Sequence, residues 1–130
     1  MSLTTEDILA IHQLYARYNH AIDFGDANGW AGTFTVDGTF SSPSGTFTGT
    51  EQLAGFAGAF AQRMKARHWT NNLMVEPAEG GAAGTCYLML YSLGDGERST
   101  SIVATGVYRD SLRKVDGGWR FTSRTVTADA

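Results

Sequence analysis

The sequence predicts an α+β domain, a curved antiparallel sheet wrapped on helices. Two observations carry this: apolar residues recur at helical spacing up to about Lys65, and from Arg67 onward the period changes to two. Glycine-rich turns, Gly80-Gly81, Gly94-Asp95-Gly96 and Asp116-Gly117-Gly118, divide that second half into a meander. No repeat or low-complexity stretch interrupts the 130 residues, so a single domain is expected.

The first helix starts at a Thr4 or Thr5 cap, carries Glu6 and Asp7 in its first turn, and runs to about Ile22. Ile8, Ile11, Tyr15, Tyr18 and Ile22 form its apolar face. Asp23 follows at once, where the helix dipole disfavours a carboxylate. Gly25 is the expected stop, and Asp26 is free to cap a short helix from Asn28 to Phe34. Asp23 has no such structural duty. A carboxylate beside an apolar face in an electrostatically poor place marks a candidate site.

Val36 to Phe40 reads as a strand and Pro43-Ser44-Gly45 as a turn. Thr50 is the expected cap of a third helix, Glu51 to about Lys65, with Leu53, Phe56, Phe60 and Met64 on one face. Strands are expected at His68–Glu76, Gly84–Leu93, Ser101–Lys114 and Trp119–Thr127. Strict alternation puts His68, Thr70, Asn72 and Met74 on one face of the first of these. It also sets Arg124 opposite Trp119 and Phe121, unless a bulge at Thr122-Ser123 changes the register. The later strands show no isolated acid in mid-strand.

Net charge is −3 and no Lys/Arg block occurs, so neither nucleic acid nor an anionic membrane is an expected partner. Apolar runs are too short to span a bilayer and the N-terminus lacks a signal-peptide core. Cys86 is the lone cysteine, which suits a reducing, cytoplasmic location. His12, His20 and His68 are scattered, so no metal site is expected.

The order of elements resembles the SnoaL-like, nuclear-transport-factor-2-like superfamily over essentially the whole chain. The residues that carry it are Ile-x-x-Leu-Tyr-x-x-Tyr…Asp-x-Gly-Asp…Trp from Ile11 to Trp30, Phe34…Asp37-Gly38-x-Phe40, Phe47-x-Gly49, Arg67-His68…Asn72, and Asp116-Gly117-Gly118-Trp119-x-Phe121…Arg124. The resemblance implies a cone-shaped α+β barrel with an apolar pocket between helices and sheet, here lined by Trp30, Phe34, Phe40, Asn72, Met89 and Tyr91. It also implies a cofactor-independent lyase of the dehydratase and dehydrochlorinase branch. His68 matches the proton-abstracting base, Asp23 its orienting carboxylate, Tyr18 a donor to the substrate carbonyl, with Tyr15 the other candidate for that role, and Arg124 a stabiliser of developing charge. Tyr18 and Asp23 are five residues apart, about 140° around a helix, so the two do not point together on a regular helix.

The expected ligand is a small hydrophobic ring compound, with no cofactor. Polyketide cyclases or isomerases using the same base, and non-catalytic ligand-binding or assembly domains, are the alternatives within the same fold. Apolar residues on both faces of the later strands further predict a homodimer, with a trimer as the alternative.

Overall fold

The computed structural model describes residues 2–129. Three helices, α1 (Thr5–Asp23), α2 (Ala27–Ala31) and α3 (Thr50–Arg63), pack against six strands. The strands are β1 (Phe34–Ser42), β2 (Gly45–Thr48), β3 (Ala66–Ala78), β4 (Gly81–Ser92), β5 (Ser101–Val115) and β6 (Gly118–Ala128). They form one sheet in the order β2-β1-β6-β5-β4-β3. All pairings are antiparallel except β1 with β6, so the sheet is mixed. It does not close into a barrel: β2 and β3 are its edges.

Thr4 caps α1 through a reciprocal box with Asp7, each side chain taking the other's backbone N–H. The Asp7 carboxylate also accepts from Lys114 Nζ at 3.1 Å and Trp119 Nε1 at 3.2 Å, which ties the start of α1 to the β5–β6 hairpin. Asp26 caps α2 by accepting from the Gly29 N–H. That helix stops at Ala31, short of the expected Phe34, because Phe34 already begins β1. The cap of α3 is Gly49 at φ 87°, not Thr50, and the Gln52 side chain takes the Thr48 N–H instead. Among the described residues no helix is long and apolar enough to cross a membrane.

Two bulges set what the sheet shows to its helices. In β3 the pairing with β4 slips between Asn71 and Met74, and Asn72 takes φ 56°. His68 and Thr70 share the inner face before the slip, and Leu73 and Val75 share it after. Asn72 and Met74 are therefore exposed, not on the face of His68 as alternation predicts. In β6, Ser123 pairs with Ser111 and Phe121 with Leu112, leaving Thr122 as the extra residue. Trp119, Phe121 and Arg124 are consequently all buried.

The core between α1, α2 and the sheet is aromatic. Tyr18 packs on Trp30, Phe34, Tyr108 and Phe121 with ring centroids 5.3–6.1 Å apart. Trp30 in turn meets Phe40 and Phe56. Such pairs contribute about 0.5–1.5 kcal/mol each beyond the area they bury.

The Asp7 contacts hold its carboxyl well below the ordinary value of 3.8, the Thr4 backbone N–H contributing most, then Lys114. A depressed folded value means stability that is full above the ordinary value and is lost as pH falls below it. Asp7→Asn should therefore lower the melting temperature at neutral pH, and the gap to wild type should close on acidification below about pH 4. Calorimetry of both proteins across that range checks it; a gap independent of pH would contradict the assignment.

Candidate functional site

Asp23 closes the last turn of α1, and His68 stands third in β3, the strand packed alongside that turn. Their side chains meet with His68 Nδ1 2.6 Å from Asp23 Oδ1. The backbone N–H of His68 also donates to both carboxylate oxygens at 3.1 Å. The side chains are only 7% and 6% exposed, so the carboxylate cannot rotate away without abandoning three contacts. Opposite an ionised carboxylate, which only accepts, a neutral imidazole carries its proton on Nδ1 and keeps the lone pair on Nε2.

His68 also lies on the boundary between two spaces. On one side is an apolar cavity of about 230 Å³ between α1, α3 and the sheet, lined by Tyr18, Ile22, Phe40, Phe56, Phe60, Leu88, Leu90, Tyr108 and Val126, with Ser42, Ser44 and Arg63 among its polar residues. On the other side is a larger groove of about 660 Å³ between α1 and β3, lined by Asn19, His20, Asp23, Thr70, Asn71 and Asn72 together with apolar residues such as Phe24, Trp69 and Leu73. Asp23 faces the groove, while His68 reaches the cavity with Phe60 against its ring at 5.4 Å. The smaller space is the more apolar of the two, and His68 lines both.

Tyr18 lines the cavity without approaching Asp23. The five-residue separation is no obstacle, since His68, not Asp23, shares the cavity with Tyr18. Burial raises the Tyr18 phenol above its ordinary value, with Arg124 opposing. Arg124 is turned inward by the Thr122 bulge but is fully buried and sealed from the cavity. It sits in an aromatic cage, its guanidinium carbon 3.4 Å from the Tyr108 ring centroid, 4.4 Å from that of Tyr18 and 4.9 Å from that of Tyr15.

The charge of Arg124 is met by Asp110 on β5, Nε to Oδ1 at 3.0 Å. The N–H does not point along that contact, so Nε, Nη1 and Asp110 Oδ1 have no hydrogen-bond partner among the described residues. Tyr15 completes the network by donating to Asp110 Oδ2 at 2.5 Å. Room for that hydroxyl exists because residue 84 is glycine; a Cβ there would collide with it. Burial pushes the Asp110 carboxyl up against the pull of Arg124. Burial alone would lower Arg124, but Asp110 and the surrounding phenols more than offset this and raise it. Burial likewise raises the Cys86 thiol to about 11, and its sulfur accepts from Arg124 Nη2 at 3.4 Å.

Several expected pocket residues are elsewhere. Met89 and Tyr91 point to the outer face, because in β4 it is Leu88 and Leu90 that face inward; Tyr91 instead bonds Thr100. Asn72 lies on the outer groove, displaced by its bulge. Trp30 and Phe34 are buried one layer behind the wall, Trp30 backing Phe40 and Phe56. Asp110 corrects the expectation that the later strands hold no isolated acid. Its signal was present: Tyr108, Asp110 and Leu112 alternate onto one buried face.

No curated protein matches this chain. Among solved structures it is similar to the Rv3472 protein of Mycobacterium tuberculosis, a protein of unknown function, at 34% identity over 94% of this chain and 71% of that one, with a TM-score of 0.88. It is also similar to Aln2 from a Streptomyces species, at 28% identity over 99% and 95% of the two chains and a TM-score of 0.88. ActVI-ORFA of Streptomyces coelicolor shares the fold at 24% identity, over 96% and 98% of the chains, with a TM-score of 0.85. The model of the SnoaL-like domain matches residues 3–125, and the chain belongs to that family.

Proposed function

We propose that this protein is a cofactor-independent lyase of the dehydratase type, acting on a compact hydrophobic ring compound held in the cavity. The observation that carries this reading is the Asp23–His68 pair, whose Nδ1 is held on the carboxylate and whose imidazole lines an apolar cavity. Ligand sites commonly span about 300–1,000 Å³. At about 230 Å³ this cavity favours one or two rings over a larger polycycle.

In the proposed reaction His68 Nε2 takes the proton from the carbon α to a ketone. The C–H electron pair moves into the enolate, whose oxygen accepts a hydrogen bond from Tyr18. Collapse of the enolate breaks the C–O bond at the β carbon. The departing hydroxyl takes the proton back from the imidazolium and leaves as water, so the enzyme returns to its starting state. Asp23 stabilises the transient imidazolium and keeps the ring aimed. Arg124 acts from behind the cavity floor, through the field of a buried cation, without touching the substrate.

We further propose that the chain is a homodimer through the outer face of the sheet. Trp69, Met74, Tyr87 and Ile102 are 55–69% exposed there, and Met89 and Val107 lie among them. A patch of this composition is characteristic of a protein interface. Sedimentation should give twice the chain mass of 14.0 kDa, and Tyr87→Glu should give the monomer. A wild-type monomer at micromolar concentration would refute this.

A panel of one- and two-ring β-hydroxy ketones, assayed for loss of water, tests the reaction. His68→Ala should lower kcat by about 10²–10⁴. It should also lower stability by about 1–3 kcal/mol, because the carboxylate of Asp23 loses its ring partner. Tyr18→Phe should cost less in rate, and Asp23→Asn should fall between the two. Unchanged turnover in His68→Ala would remove the lyase reading, and a rearranged product without loss of water would point to a cyclase or isomerase instead.

A further inference from the structure

We infer that Tyr108 is a second oxyanion donor in the cavity, and that Arg124 exerts its effect on a bound anion through this phenol. The inference rests on the cavity being the ligand site but not on the reaction being an elimination. Tyr108 lies on β5, two residues before Asp110, and lines the same cavity as His68 and Tyr18. Its ring stands edge-to-face to Tyr18 at 6.0 Å, so two phenols stand side by side in the cavity wall.

The reverse side of that ring is occupied by the guanidinium of Arg124, 3.4 Å from the centroid, its shortest approach to any of the four rings around it. A cation held on a ring face draws electron density from the ring and its hydroxyl, which makes the O–H a stronger donor. Water cannot weaken the effect, because Arg124 is fully buried. Its carboxylate contact, Asp110, lies 3.0 Å away but is imperfectly aligned, and Nη1 has no hydrogen-bond partner among the described residues. Such a floor favours an oxygen carrying negative charge over a neutral one. Tyr108 keeps its proton throughout: it donates a hydrogen bond to the anion and transfers nothing.

4-Nitrophenol and 4-nitrotoluene test this, being nearly equal in shape, with the phenolate visible by its own absorbance. Wild type should bind the phenolate more tightly than the neutral phenol, seen as a downward shift of the bound probe's titration. Tyr108→Phe keeps the ring and its contact with Arg124, and should reduce that preference about tenfold, the worth of one hydrogen bond to a charged group. Its affinity for 4-nitrotoluene should stay as in wild type. His68→Ala should retain the phenolate preference, because the floor and not the base creates it. Equal preference in Tyr108→Phe and wild type overturns the proposal, as does loss of preference in His68→Ala alone. Failure of wild type to bind either probe would overturn it together with the assignment of the cavity, whereas failure of the lyase reading would show only in turnover.

Discussion

A guanidinium buried without water is the constraint around which this molecule is arranged. Moving a charge of that kind into a protein interior costs several kcal/mol even after relaxation, and removing one partner of a buried pair costs about 3–5 kcal/mol more. Arg124 is tolerated because several separate elements converge on it. A bulge in β6 turns it inward, β5 provides Asp110 and Tyr108, α1 provides Tyr15 and Tyr18, and β4 provides Cys86. Gly84 leaves the room in which Tyr15 reaches the carboxylate. The pair is close but its hydrogen-bond alignment is imperfect, leaving Nε, Nη1 and Asp110 Oδ1 without a hydrogen-bond partner among the described residues.

The dyad solves a different problem. A base in an apolar space needs a fixed tautomer, yet a carboxylate inside that space would repel the anion formed there. Here the carboxylate lines the groove and not the cavity, while the imidazole lines both. The His68 backbone N–H binds the same carboxylate, so strand and side chain are positioned by one group. Negative charge from Asp23 and positive charge from Arg124 thus flank the cavity at different depths. In the proposed reaction the proton acceptor lies at the first and the anion-stabilising floor at the second.

Family membership establishes the architecture and leaves the reaction to the site. Solved relatives from Streptomyces and Mycobacterium share the fold across most of this chain. Within that fold the distinguishing features are local: a small cavity, one histidine with its carboxylate, and a pair of phenols over a buried cation.

The helices, the meander and the sites of the turns were legible in the sequence because each depends on local periodicity and on residues whose backbone preferences are strong. Asp23 was legible as well, as a carboxylate in the wrong place on a helix, and resemblance singled out His68, Tyr18 and Arg124. Which side chains line the cavity was not legible. A single extra residue in a strand reverses the facing of everything beyond it; the place of the bulge in β6 was legible at Thr122-Ser123, and that at Asn72 was not. Asn72 was therefore assigned inward and lies outward, while Met89 and Tyr91 were chosen on the wrong face of β4. Asp110 escaped notice for a related reason: a buried charge is recognised by its partner, and its partner stands fourteen residues away on the neighbouring strand. The sequence by itself determined the elements and the chemical types available. Tertiary structure decided which of them meet, because register and the pairing of buried charges are set between strands and not along one.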